Sequence, residues 1–162
     1  DSRGTVTRYD ANGAAVATAR SALKEPKFVT VNPKTGNAWV ADSQASVLVK
    51  LSPNGQELLR ITDIPKPTSP HVNSQDGCVW LVSSASTLVK LSPSGQKTME
   101  VLAGMAILAI SVDGKDGGIW VADQLGSNYQ GAVTKFSASG EKLFENPIPM
   151  PSYVSVGNWA GQ

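Results

Sequence analysis

Apolar residues in this chain come in short runs, separated by turns of Gly, Pro, Asn, Asp and Ser, and the runs recur in a fixed order. Asn37-Ala38-Trp39-Val40-Ala41-Asp42 returns as Cys78-Val79-Trp80-Leu81-Val82-Ser83 and as Gly118-Ile119-Trp120-Val121-Ala122-Asp123, the tryptophans lying 41 and 40 residues apart. Each copy precedes a second motif: Val49-Lys50-Leu51-Ser52-Pro53-Asn54-Gly55-Gln56, then Val89-Lys90-Leu91-Ser92-Pro93-Ser94-Gly95-Gln96, then Thr134-Lys135-Phe136-Ser137-Ala138-Ser139-Gly140-Glu141. An earlier copy, Thr7-Arg8-Tyr9-Asp10-Ala11-Asn12-Gly13, stands near the start. Short runs rich in β-branched residues and bounded by such turns predict strands. No segment sustains a 3.6-residue apolar period, so essentially no helix is predicted.

A period near 41 residues, built of four short strands, is what one blade of a β-propeller needs. The fold class read from the sequence is therefore all-β, with four-stranded antiparallel blades, three full repeats and partial repeats at both ends. Strand a is placed at Phe28 to Asn32, Ile107 to Val112 and Tyr153 to Val156. The turns Pro33-Lys34-Thr35-Gly36, Gln75-Asp76-Gly77 and Lys115-Asp116-Gly117 lead into strand b, which carries the tryptophan; Asp-Gly is a strong hairpin signal. Strand c is placed at Thr5 to Tyr9, Val47 to Leu51, Thr87 to Leu91 and Ala132 to Phe136. Strand d is placed at Ala15 to Thr18, Leu58 to Thr62, Thr98 to Leu102 and Lys142 to Phe144. The repeats run over about 1–41, 42–82, 83–122 and 123–162, within one domain or one propeller segment.

Trp-Val-Ala-Asp, a short loop, then Val-x-Lys-Leu-Ser-Pro-x-Gly resembles the NHL-repeat propellers and is similar to related six-bladed extracellular propellers. The resemblance covers nearly the whole chain and is specific for architecture, not for activity. Repeat two departs from it: Ser83 stands where the others have Asp, and Pro70-His71 is expected to interrupt strand a.

The ends are informative. Asp1 aligns with Asp42, and Gly157 to Gln162 aligns with Asn32 to Asn37, so the segment matching Ala38 to Ala41 is missing from the terminal repeat. Strand a near Tyr153 and strand c near Thr5 then lack their common neighbour, and a strand taken from mid-sheet leaves two rows of unpaired backbone groups. Three readings follow. The chain is part of a larger propeller, a four-bladed ring with a defective closing blade, or one partner in an assembly that supplies the missing pairing. The first is favoured, assembly comes second, and the isolated chain is not expected to form a closed, stable monomeric ring.

Charge narrows the partners. A net charge of +1 with no run of like charges gives no footprint for nucleic acid. No apolar stretch approaches the roughly 18 residues of a membrane span. A single cysteine, Cys78, excludes an intramolecular disulfide. A start at Asp1 with few charged and many small polar residues suggests a processed or excerpted chain of extracytoplasmic (periplasmic or extracellular) origin.

What recurs in every blade is read as scaffold, because propellers host unrelated functions on one frame. Trp39, Trp80 and Trp120 are assigned to packing between blades. Arg8, Lys50, Lys90 and Lys135 are expected to pair with a strand-b Asp or to face solvent, with Asp42 and Asp123 as turn or hydrogen-bonding residues. The departures carry the candidate binding surface. In repeat three, Gln124 to Gly131 replaces the four residues Ser43 to Ser46, so Asn128, Tyr129 and Gln130 form a candidate binding loop, joined by the out-of-phase Trp159. A tolerated insertion explains that loop equally well.

Enzyme signatures are sparse. His71 is the sole histidine, so no His cluster is available for a catalytic zinc like that of the amidating lyases among NHL relatives. Asp113-Gly114-Lys115-Asp116-Gly117 lacks calcium-loop spacing and reads as a hairpin, and no Gly-x-Ser-x-Gly elbow is present. No catalytic residue, metal site or cofactor is assigned, and neither His71 nor Cys78 is expected to take part in chemistry. The expected function is a non-catalytic module that binds a protein, glycan or neighbouring subunit, or builds an extracellular assembly, with a homo-oligomer possible. The alternative is part of a propeller hydrolase or lyase, lactonase-like, whose active site lies mainly in blades not present.

Overall fold

The computed structural model describes residues 4–124, 130–149 and 151–156. Every regular element among them is a strand. The chain divides into two compact units, Asp1–Pro70 and His71–Gln162.

The first unit holds β1 (Thr5–Tyr9), β2 (Ala15–Arg20), β3 (Phe28–Val31), β4 (Ala38–Asp42), β5 (Val47–Leu51) and β6 (Glu57–Ile61). Strands β3 to β6 form one four-stranded sheet in chain order, and β1 and β2 form a two-stranded sheet. β7 (Thr68–Val72) crosses the boundary and edges the sheet it makes with β8 (Val79–Ser83), β9 (Thr87–Leu91) and β10 (Lys97–Leu102). The last sheet is β11 (Ala106–Val112), β12 (Ile119–Gln124), β13 (Gln130–Phe136) and β14 (Lys142–Pro149). These are four-stranded antiparallel propeller blades, the fold class expected.

One register repeats in all three. Trp39 lies opposite Lys50, Trp80 opposite Lys90, and Trp120 opposite Lys135. Trp39 and Trp80 are buried and Trp120 is half-buried. Strands b and c are covered on both faces, as the unbroken burial of β8 shows, whereas all eight residues of the outer strand β14 are exposed. Continuous apolar runs are what a strand buried on both faces requires. In the second unit Trp80, Val82 and Leu88 of one blade pack with Ile110, Ile119, Val121 and Phe136 of the next, so for Trp80 the packing between blades is direct. In the first unit Ala19 and Leu23 pack on Val40, Val47, Val49 and Leu51.

The turns repeat as closely as the strands. Asn32, Asn73 and Asp113 each accept a hydrogen bond at Oδ1 from the amide two residues on, which folds the a–b turn. Ser52, Ser92 and Ser137 close the c–d turn by accepting the amide four residues on, as Asp10 does in the first copy. Gly13, Gly55, Gly95 and Gly140 occupy that turn at φ between 81° and 86°, where a side chain is strained.

Four expectations need correction. β7 runs through Pro70-His71 without interruption, because it is an edge strand where a missing amide costs the ladder nothing. Tyr153 to Val156 form no strand, since a strand is a pairing and none forms there among the described residues. One bond does place the segment: the Val156 amide donates to Ser111 Oγ at 3.0 Å. β14 is longer than the predicted Lys142 to Phe144 and pairs along β13 to Gln130↔Pro149. The enlarged b–c loop is partly taken up by longer strands, with Gln124 paired to Gly131.

Candidate functional site

The basic residue of strand c does not pair with the strand-b Asp. The ammonium groups of Lys50, Lys90 and Lys135 instead lie 5.4, 5.2 and 5.4 Å from the ring centroids of Trp39, Trp80 and Trp120. Cross-strand register sets this geometry, and cation–π attraction favours it. Lys90 Nζ also donates to the Ala138 carbonyl, at 2.9 Å. Lys135 Nζ bridges Asp113 at 3.1 Å and Asp116 at 2.5 Å, which lowers the pKa of Asp116 and raises its own; against the upward push of burial, the Lys115 amide and this lysine together hold the Asp113 carboxyl below its ordinary value. The Asp113 to Gly117 segment is thus a hairpin turn whose two carboxylates are tied to a lysine.

Asp42 and Asp123 occupy one motif position and do different work. Asp42 is fully buried. Its Oδ2 accepts the amides of Lys24 at 2.6 Å and Glu25 at 2.8 Å, and Oδ1 accepts the amide of Ala45 at 2.9 Å. One carboxylate thereby pins the connection before strand a to the b–c turn of the same blade. Burial alone would raise its pKa, but the amides of Ala45, Glu25, Lys24 and Gln44 outweigh it and the value falls.

Asp123 is as deeply placed, 2 % exposed, yet its Oδ1 has no hydrogen-bond partner among the described residues. The connection before strand a takes a different path here. Gly104 passes so close to Oδ2 that a Cβ on it would lie 2.4 Å away. Burial drives the Asp123 carboxyl upward, and the charge of Glu145 adds to this; the amides of Asp123 and Ala132 and the charge of Lys142 oppose it.

A cavity of about 530 Å³ opens beside this carboxyl. Val101, Leu102, Ala103 and Phe136 form its apolar lining, with Asp123, Thr134, Lys142 and Glu145 as polar groups. Lys142 and Glu145 are paired at 2.5 Å on its exposed side. A buried carboxyl with a raised pKa next to an apolar wall suits a ligand with a hydrogen-bonding head and an apolar body. This is the candidate site of the second unit. Among the described residues no group of three or more His, Cys, Asp or Glu side chains is placed to hold a metal.

Of the surface proposed from sequence, Asn128, Tyr129 and Trp159 lie outside the described residues; Gln130 begins β13 and is exposed. His71 is half-buried in β7, and burial lowers its pKa. Cys78 is half-buried in the turn before β8 rather than within the strand, with its thiol pushed up by burial and by Asp76. A raised thiol pKa suits an inert cysteine. Lys142, Glu145 and Gly104 were missed in the sequence because each belongs to a strand or connection with no motif of its own.

No family profile and no curated protein matches this sequence. Solved structures do match it in fold. Hydrazine synthase of Kuenenia stuttgartiensis is 15 % identical with a TM-score of 0.79, over 90 % of this chain and 44 % of its own. Virginiamycin B lyase from Staphylococcus aureus is 17 % identical with a TM-score of 0.73, over 93 % of this chain and 51 % of its own. A streptogramin B lyase is 17 % identical with a TM-score of 0.71, over 93 % and 50 %. The chain thus spans about half the length of these propeller-type proteins. At such identities the likeness concerns the fold, and proteins of varied function share it.

Asp123 sets a pH dependence that substitution removes. A carboxyl whose folded pKa lies above its ordinary 3.8 favours folding below that value, and the benefit is lost as pH rises through the folded pKa. Charged Asp123 is thus a cost at neutral pH. Asp123→Asn is expected to raise the urea midpoint at pH 7 and to leave it nearly unchanged at pH 3. Equal shifts at both values would show that the carboxyl is not perturbed in this way.

Proposed function

We propose that this chain is a non-catalytic propeller module of NHL-repeat type, which binds a protein, a glycan or a neighbouring subunit, or builds an extracytoplasmic assembly. The observation that carries the reading is the repeated lysine–tryptophan pair. In each full blade the aromatic face that would attract a ligand's cation is occupied by the chain's own ammonium group. The other recurring polar residues likewise close turns or bind connections, which supports a scaffold role. The blade architecture and the motif Trp-Val-Ala-Asp support the NHL-like assignment.

The Asp123 cavity favours a second reading, in which these blades belong to a propeller hydrolase or lyase with most of its catalytic residues elsewhere. Two fold neighbours are lyases by name. Incubation of the purified chain with streptogramin B or virginiamycin B, followed by chromatography of the remaining compound, separates the two. The module reading expects no turnover above buffer. Turnover by the purified chain that disappears in Asp123→Asn would overturn it in favour of the lyase.

A further inference from the structure

We propose that the cavity beside Asp123 binds a small organic cation, a primary ammonium on an apolar stem, with Asp123 Oδ1 accepting a hydrogen bond from the ammonium. The inference goes beyond the module reading, because it requires binding and no turnover.

The first unit shows which donors a carboxylate at this motif position takes. At Asp42 every one is an N–H: the amides of Lys24 and Glu25 on Oδ2 and that of Ala45 on Oδ1. At Asp123 the amides that reach the carboxyl are its own and that of Ala132. Oδ1 is buried and has no hydrogen-bond partner among the described residues. Instead of an amide, the connection before strand a brings the α-carbon of Gly104 to Oδ2, so near that a Cβ there would stand 2.4 Å away. A buried charged acceptor without a donor is costly, and a ligand that supplies the donor relieves that cost.

Charge selects the head. The cavity lining carries two carboxyl groups, Asp123 and Glu145, and one ammonium, Lys142. Lys142 is held by Glu145 at 2.5 Å on the exposed side, so no cation pairs with Asp123. An anionic head would meet two carboxylates, and a neutral head would leave an ionised carboxyl uncompensated beside an apolar wall. A primary ammonium matches the charge and brings three donors, whereas a quaternary one has no N–H to give. Asp123 is 2 % exposed, so the head that reaches it must be slim. Val101, Ala103 and Phe136 line the way to it, with Leu102 exposed at the mouth, and these surfaces suit a short hydrocarbon stem. A volume of about 530 Å³ falls within the range of small-molecule sites.

The test is an amide NMR titration of the full chain at pH 7 with hexylammonium, its neutral isostere hexan-1-ol and the anion hexanoate. Saturable binding of hexylammonium is expected, with shifts centred on Ala103, Asp123 and Thr134, about tenfold tighter than hexanol, and none of hexanoate. Asp123→Asn should weaken hexylammonium about tenfold and leave hexanol within about twofold. Leu102→Ser, at an exposed position of the wall, should weaken hexylammonium about threefold without unfolding the chain. Nα-acetyl-lysine methylamide separates two sources of the same head. Binding as tight as that of hexylammonium assigns the site to a lysine side chain of a protein partner, and weaker binding assigns it to a free amine. Failure of both amines to saturate, equal binding of amine and alcohol, or binding that Asp123→Asn leaves unchanged overturns the proposal. Each of those results leaves the non-catalytic reading standing, because only turnover overturns that.

Discussion

Asp42→Ala is expected to lower the free energy of unfolding by about 3 kcal/mol, because three backbone amides would lose their acceptor where water cannot easily replace it. Those donors, Lys24, Glu25 and Ala45, come from two separate segments, so the change frees both a connection and a turn. Asp42→Asn keeps one oxygen acceptor and should cost about half as much. The parent should also lose stability in acid through this residue. Its folded pKa lies below 3.8, so its contribution is complete above that value and disappears as pH falls through the folded pKa. Urea unfolding with an unchanged slope is the measurement. A loss under 1 kcal/mol for Asp42→Ala would mean that the carboxylate is not the strut described here.

Trp80→Ala is expected to cost about 3–5 kcal/mol, the range for emptying a large aromatic from a packed core. Trp80 is fully buried against Ile110, Ile119, Val121 and Phe136 of the next blade, and alanine leaves a void that these neighbours close only in part. Trp80→Phe should cost much less than the lost volume implies. The indole Nε1 of Trp80 is buried without a hydrogen-bond partner among the described residues, and phenylalanine removes that donor. Trp120→Ala should cost less than Trp80→Ala, since Trp120 is half-buried and meets Phe144 edge-on with centroids 6.0 Å apart. Thermal or urea melts of the three variants check the order. If Trp120→Ala proves as costly as Trp80→Ala, the two rings do not differ in burial as described.

The repeat made the strands legible because each blade restates the same short apolar runs and the same turn chemistry. Trp39, Trp80 and Trp120 could be placed at one register position from spacing alone, and the Gly of the c–d turn from its fixed offset. The partner of each lysine was not legible. Sequence offers the strand-b Asp or solvent, and only the register shows that the tryptophan ring lies opposite. The two fates of the motif Asp were hidden for a similar reason. Whether its carboxylate finds the amides of the connection before strand a depends on the path of that connection, and Lys24-Glu25-Pro26 and Gly104-Met105 follow different paths with no motif to announce it. Pro70 misled because proline is an interruption within a sheet and harmless at its edge. The candidate loop at Asn128 and Tyr129 was found as an insertion; the cavity at Asp123, just before it, was not, because its walls come from β10, β12, β13 and β14 together.

The account holds that a recurring residue serves the scaffold and that function enters where the same position is released from that duty. Amide hydrogen exchange on the intact chain tests this most directly, by comparing the two connections that pass the motif Asp. Slow exchange is predicted at Lys24, Glu25 and Ala45, whose amides Asp42 holds, and fast exchange at Gly104 and Met105 beside Asp123. Equal protection at both connections would contradict the account, because Asp123 would then be a second strut and the cavity beside it no more than a gap between blades.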